Sequence, residues 1–136
     1  MRLAELSRDF WELRSGEESA RKNPDKFQIP PLDARKALKR GHAAKLIFEI
    51  ESEDEGGKVV IQGERMWVIV LEQVGPYYIG ILDSKPASVE PSDNVYLCFG
   101  AEIPFLPEHV IEIASPPTEY VEWQLGQKPE RKWPRD

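Results

Sequence analysis

The stretch MWVIVLEQVGPYYIGIL, residues 66–82, contains two apolar segments separated by a short polar turn. In residues 66–73 apolar side chains fall on both faces of an extended chain, which is typical of a central strand buried on both sides. A turn at 74–76 precedes a second apolar strand at 77–82, so the pair is predicted to be a hairpin. Within that second strand, Gly80 indicates a bulge or a close approach of two backbones.

Shorter strands are predicted on both sides of this hairpin. Residues 46–50 alternate between apolar and polar types, with one exception, which indicates a half-buried strand. Further short strands are predicted at residues 59–61, 95–99, 103–105 and 110–113. The acidic, glycine-containing run that follows the first strand is predicted to be a solvated loop.

Two helices are predicted before these strands. Apolar residues recur at helical spacing in the first segment, at Leu3, Leu6, Phe10 and Leu13. Gly16 is predicted to end this helix, and residues 16–26 are predicted to be a polar turn. The second helix follows Pro31, has an acidic first turn and basic later turns, and is predicted to end at Gly41. A short helix is predicted at 119–125.

Together these elements predict an α+β domain. Two N-terminal helices pack on a strongly bent antiparallel sheet of four to six strands, in the shape of an SH3-like half-barrel. We predict an N-terminal helix and linker at residues 1–26, a single α+β core domain at 27–114 and a Pro-rich C-terminal tail at 115–136. The last ten residues of the tail are expected to be mobile unless Trp133 docks on the core.

Composition narrows the classes of protein that the chain can belong to. Its 136 residues and 15.6 kDa suit one domain. The longest apolar run, residues 66–71, is too short to span a membrane. The N-terminus has acidic residues within its first ten positions and lacks the apolar stretch of a signal peptide. A single cysteine, Cys98, excludes an internal disulfide framework. We therefore expect a cytoplasmic protein.

The charge is unevenly distributed along the chain. Residues 46–127 carry 15 acidic and 3 basic residues, a net charge of −12, whereas residues 1–45 and 128–136 are net basic. The acidic charge of residues 46–127, the main body of the chain, disfavours nucleic acid as a partner, because phosphate binding needs a contiguous basic surface. This pattern has two interpretations. Either the basic termini lie against the acidic body, or an acidic face attracts a basic protein partner.

No arrangement of residues in the sequence indicates a reaction. The two histidines, His42 and His109, are 67 positions apart and do not give the spacing of a metal site, so no metal or cofactor is expected. Glu108 and His109 would point to opposite faces of an extended chain. Cys98 is flanked by apolar residues and is expected to be a structural thiol. Motifs of hydrolases, nucleotide-binding loops and zinc proteases are absent from the sequence.

The segment from Glu64 to Val68 is the most unusual motif. A charged pair enters a strand, and Trp67 follows it. Because of its apolar neighbours, Trp67 is predicted to belong to the core. Alternatively, Trp67 together with Tyr77 or Tyr78 forms the floor of an aromatic groove for a peptide.

A set of short motifs follows this order along the chain: Phe27-Gln28-Ile29-Pro30, Arg35, Gly41, residues 44–48, residues 64–68, residues 78–83, Pro86, Gly100, Ile103, Phe105 and residues 107–110. This set resembles a bacterial family of uncharacterised small domains of the YegJ-like type (DUF2314), over roughly residues 27–113. The resemblance implies a compact α+β domain with a partner-binding role, such as immunity to a toxin, and it transfers no specific activity to this chain. Where relatives often carry Asn after the Gly-x-Leu motif, this chain has Asp83.

Three functional hypotheses follow from these observations. The leading one is a cytosolic, non-enzymatic domain that binds a basic protein partner through its bent sheet and acidic surface. Its candidate binding residues are Glu64, Trp67, Tyr78, Asp83 and His109. The alternative is a small-ligand binder or hydrolase-like enzyme with a pocket near His109, Glu64 and Asp83. The third is an accessory domain in which all these residues serve packing. The oligomeric state is left open.

Overall fold

A long antiparallel pair of strands forms the centre of the computed structural model, which describes residues 1–136. Along the chain the helices and strands are α1 (Leu6–Asp9), β1 (Trp11–Leu13), α2 (Gly16–Lys22), α3 (Leu32–Lys36), β2 (Ala43–Glu53), β3 (Val59–Val74), β4 (Tyr77–Leu82), β5 (Glu102–Phe105), β6 (Glu112–Ala114) and α4 (Thr118–Leu125). A 3-10 turn, Pro107–His109, lies between β5 and β6. None of the helices combines the length and hydrophobicity needed to cross a membrane.

The six strands form one antiparallel sheet. Five of them follow the order β1-β2-β3-β4-β5, and β6 also pairs with β2. One edge of β2 is shared between two partners, with β6 along Ala43–Lys45 and β1 along Phe48–Ile50. The sheet curls into a half-barrel, so the predicted α+β class with a bent antiparallel sheet is confirmed. The N-terminal part contains three short helices where two were expected.

The central strand β3 is buried on both faces, as its apolar pattern predicts. Val68 and Val70 belong to the main core, while Ile69 on the opposite face is only 1% exposed. The main core also contains residues from both ends of the chain, Ala4 and Trp133. Segments outside residues 27–114 therefore contribute directly to the core.

Gly80 marks both a bulge and a close approach. The register of β3 and β4 shifts between Val70 and Glu72, where β3 has one extra residue. A Cβ atom on Gly80 would lie 2.7 Å from Cγ2 of Val68, so glycine is required for β4 to pack this closely on its neighbour. The expectation from the sequence is confirmed in both respects.

The prediction of a helix through residues 3–13 is wrong. Helix α1 ends at Asp9, Phe10 adopts a left-handed backbone, and the chain then becomes strand β1. Trp11 pairs with Ile50 of β2 and is 2% exposed in the core. Pairing with a distant strand has overridden the helical spacing of the apolar residues.

Three further local predictions need correction. Gly16 begins α2, which Ser15 caps by accepting a hydrogen bond from the Glu18 amide (3.1 Å), so residues 16–26 are not simply a polar turn. Helix α3 ends at Lys36, well before Gly41. Residues 95–99 form no strand, because Tyr96 and its neighbours fold inward over the core as a loop.

The C-terminal tail is docked on the body. Trp133 is 3% exposed, its backbone amide donates to the Glu102 carboxylate (2.8 Å), and its indole N–H donates to the carbonyl of Arg2 (2.9 Å). Arg131 pairs with Ala101 in an isolated bridge. The tail was expected to be mobile unless Trp133 docks on the core, and Trp133 does dock there.

Candidate functional site

An apolar groove of about 300 Å³ lies beside the far end of β2. Apolar side chains from four parts of the chain line it, namely Phe10, Trp11, Ile50, Val59, Val89 and Tyr96. We refer to it as the edge groove. Two of the residues that line it are exposed to solvent, Phe10 at 60% and Val59 at 56%. Exposed apolar side chains around a cavity are typical of a binding surface.

Three acidic residues, Asp9, Glu51 and Glu53, are among those that line the edge groove. Asp9 is neutralised by Arg2, whose guanidinium donates two hydrogen bonds of 2.7 and 2.8 Å, and this lowers the pKa of Asp9. Glu51 and Glu53 also line the groove, and neither has a basic nitrogen within 4.0 Å. The groove therefore presents two uncompensated negative charges beside apolar surface.

Phe10 holds an unusual backbone conformation at this groove. Its φ of 67° and ψ of 13° place it in the left-handed region, and it is the sole non-glycine residue in the chain with positive φ. Glycine or asparagine normally takes this position at the end of a helix, and a bulky side chain there is strained. Strain of this kind concentrates at functional sites. The sequence predicts Phe10 on the apolar face of a helix, so this backbone conformation was not expected.

Glu64 fixes the loop that forms one wall of the groove. Its carboxylate accepts hydrogen bonds from the amides of Ala87 (2.9 Å) and Ser88 (2.8 Å) and a very short one from the Ser88 hydroxyl. Burial raises the pKa of Glu64, but these bonds together outweigh it, and the pKa lies below its usual value. Val89, the next residue, lines the edge groove. Glu64 thus acts on the groove through the loop.

Trp67 and Asp83 lie together at the end of the β3–β4 pair. The Asp83 amide donates to the carbonyl of Trp67 (2.9 Å). The Asp83 carboxylate accepts from the Tyr120 hydroxyl (2.5 Å) and from Gln124 (2.7 Å), which attaches α4 to this end of the sheet. Burial and Asp83 raise the pKa of Tyr120 to about 12. Trp67 is half-buried, and the Lys45 ammonium lies 5.4 Å from its ring.

Tyr78 is fully buried and does not join Trp67 in an exposed aromatic floor. Its ring stacks on Phe105 at 5.3 Å between centroids, inside the main core. A second cleft of about 440 Å³ lies beside Tyr78, and Glu17, Lys36 and other residues line it.

His109 lies near that second cleft and is 4% exposed. Its Nδ1 accepts a hydrogen bond from the Leu106 amide (3.0 Å), and burial lowers the pKa of the imidazole to about 4. The 3-10 turn brings Nε2 within 3.6 Å of the Glu108 carboxylate, so the expectation that these neighbours point apart is wrong. Neither Glu64 nor Asp83 lies within 4.0 Å of the ring nitrogens, so the structure does not bring these three residues together.

The basic ends of the chain neutralise part of the acidic body. Arg14 pairs with Glu49 at 2.7 Å, and Arg135 pairs with both Glu72 and Glu102. These pairs fit the first interpretation of the charge pattern. They leave Glu51 and Glu53 uncompensated.

Comparison of the chain with models of protein families, with curated proteins and with solved structures finds no match. The similarity to the YegJ-like family therefore stays a prediction.

Proposed function

We propose that this chain is a cytosolic, non-enzymatic protein-binding domain that holds a basic segment of a partner protein at the edge groove. The observation that carries the proposal is that two acidic residues without a basic partner, Glu51 and Glu53, line an apolar groove. A long basic side chain can place its apolar stem along Phe10 while its charged end reaches these carboxylates. The face of an aromatic ring attracts the same cations.

The dimensions of the groove suit a peptide. A volume of about 300 Å³ accommodates one or two side chains, at the small end of the range for ligand sites. Negative charge at the mouth favours basic partners through long-range attraction, and it disfavours acidic ones by repulsion. An immunity-type role, in which the domain covers a basic toxin, fits these features and is the setting that the family resemblance implies.

The candidate polar residues are already engaged in internal bonds. Glu64 holds the loop at Ala87 and Ser88, and Asp83 holds α4. The Nδ1 of His109 accepts a hydrogen bond from a backbone amide, and the residue is buried. These bonds support a binding role in preference to acid–base chemistry, which needs groups within reach of a substrate.

The test is capture from native lysate on the immobilised chain, at low and at high salt, with two double variants. Glu51→Gln with Glu53→Gln removes the charges beside the groove. Glu119→Gln with Glu122→Gln removes two exposed carboxylates on α4 and is the matched control. We expect a basic protein that binds the wild type and the control at low salt, is released at high salt, and does not bind the groove variant. An empty column, or a partner that all three forms retain equally, contradicts the proposal.

A second candidate function is binding of a small ligand in the cleft near His109. Its supporting observation is the mixed charge of that cleft, where Glu17, Glu108 and Lys36 surround part of Tyr78. The test is a thermal-shift screen of small amino-containing and carboxylate-containing compounds. A ligand that raises the melting temperature of the wild type but not of Lys36→Met supports this function, and a ligand that stabilises both equally contradicts it.

A further inference from the structure

We infer that the partner segment binds as an added strand that continues the line of β1 along the free end of β2, with Phe10 as its main contact. This inference rests on the proposed function, which requires only that a basic segment binds at the groove. It adds how the segment is held and which side-chain pattern it carries.

No strand pairs with this edge of β2 beyond Phe10. The last backbone bond between the two segments joins the Glu51 amide to the Phe10 carbonyl, at 3.0 Å. Amides of a strand point alternately to its two sides, so the Glu53 amide faces the same edge as that of Glu51. No neighbouring strand reaches Glu53 on this side, because β1 begins only at Trp11 and pairs no further than Ile50. An extended peptide can bind to such an edge through its own backbone.

The conformation of Phe10 argues that its side chain has a role outside the fold. The left-handed backbone disfavours a bulky residue, and Phe10 is 60% exposed, so it contributes little to the core. The side chain stands where β1 stops and where an added strand would begin. Large aromatic side chains at such positions carry a major share of binding energy.

The groove also specifies the pattern of the segment. Side chains of an added strand alternate between the two faces of the sheet. The residue opposite Ser52 faces the same side as buried Ile50, so we expect it to be apolar. The next residue lies opposite Glu53 and diagonal to Glu51, within reach of both carboxylates, so we expect it to be Lys or Arg. The segment is therefore extended, with an apolar residue directly beside a basic one.

The first test is selection of random displayed peptides on the immobilised full-length chain. We expect enrichment of peptides with an apolar residue next to Lys or Arg. Phe10→Asn should weaken their binding by roughly tenfold, since it removes an interface aromatic while keeping a residue that tolerates the left-handed backbone. Phe99→Asn, at an aromatic residue that is 40% exposed away from the edge groove, is the matched control and should bind as the wild type does. Thermal melting of both variants checks that they fold.

The second test is hydrogen exchange of the wild-type chain with and without a selected peptide. We expect slower exchange of the Glu53 amide in the complex, whereas the Glu51 amide is already bonded in the free chain. Basic peptides that bind Phe10→Asn as tightly as the wild type, with unchanged exchange at Glu53, overturn the added strand but leave the proposed function intact. Absence of any enriched basic peptide overturns both.

Discussion

The carboxylate of Glu102 and the guanidinium of Arg135 form a double hydrogen bond, with lengths of 2.5 and 3.0 Å. Glu102 is 2% exposed, and it also accepts the backbone amide of Trp133. Glu102 raises the pKa of Arg135 above its usual value. The pair therefore compensates a buried charge and holds the C-terminal tail against β5.

Arg135→Met should destabilise the fold by roughly 3 kcal/mol, because it leaves the buried Glu102 carboxylate without its cation. Arg14→Met is the matched control. Its partner Glu49 is more exposed, so we expect a loss below about 1 kcal/mol. Urea denaturation of both variants measures the difference. Equal losses would show that Arg135 acts as an ordinary surface residue.

His109 should make the stability depend on pH in mildly acidic solution. Its pKa is about 4 in the folded chain against 6.5 for a free side chain, because burial disfavours the charged form. Between these values the unfolded chain binds more protons, so stability falls as the pH falls from 6.5 towards 4, by roughly 3 kcal/mol. His109→Asn keeps an acceptor for the Leu106 amide and does not titrate.

The measurement is denaturant unfolding of the wild type and His109→Asn at several pH values. The wild type should lose stability relative to the variant across this window. Parallel pH profiles of the two proteins would contradict burial as the cause of the lowered pKa.

Gly80→Ala should cost about 1–3 kcal/mol, because the added methyl group would overlap Val68. Val68→Ala in the same chain should relieve the overlap with Cγ2 but not the contact with Cβ at 2.9 Å, so the double variant should lose somewhat less than the two single losses combined. Gly56→Ala is the control. Its new methyl group would meet only ordinary contacts, with Asp54 Oδ1 at 3.5 Å, and its effect should stay within about 1 kcal/mol. Thermal unfolding compares the variants, and additive losses would contradict the proposed contact.

Glu64→Ala should release the loop that forms a wall of the edge groove. A hydrogen bond to a charged acceptor contributes roughly 1.5–3 kcal/mol, so the Ala87 and Ser88 amides should exchange about tenfold faster or more. Glu90→Ala, at an exposed carboxylate in the same loop, should leave their exchange unchanged. If Glu64→Ala leaves the exchange rates as they are, Glu64 does not fix this loop.

The central hairpin could be predicted because its signals are local. Apolar residues on both faces of 66–73, a short turn and Gly80 each act within a few positions of one another. The end of the first helix at Asp9 and the start of β1 could not be predicted in this way. They depend on the pairing of Trp11 with Ile50, which lies far along the chain. Docking of the tail likewise depends on the distant Glu102, which no nearby residue marks as buried.

The candidate site was predicted only in part. The motif around Glu64 and the acidic run after the strand at residues 46–50 were noted in the sequence, and both contribute to the edge groove. Phe10 was missed, because a left-handed backbone at a residue other than Gly or Asn has no sequence signature. The groove itself is assembled from four separate segments, so no single motif could reveal it.

The central claim is that Glu51 and Glu53 attract a basic partner to the edge groove. Its most direct test is the dissociation constant of the partner eluted by salt, purified and titrated calorimetrically at low and high salt. We predict that salt weakens binding to the wild type and to Glu119→Gln with Glu122→Gln, whereas Glu51→Gln with Glu53→Gln binds weakly at both concentrations. A dissociation constant that is independent of salt, or unchanged in the groove variant, would contradict the account.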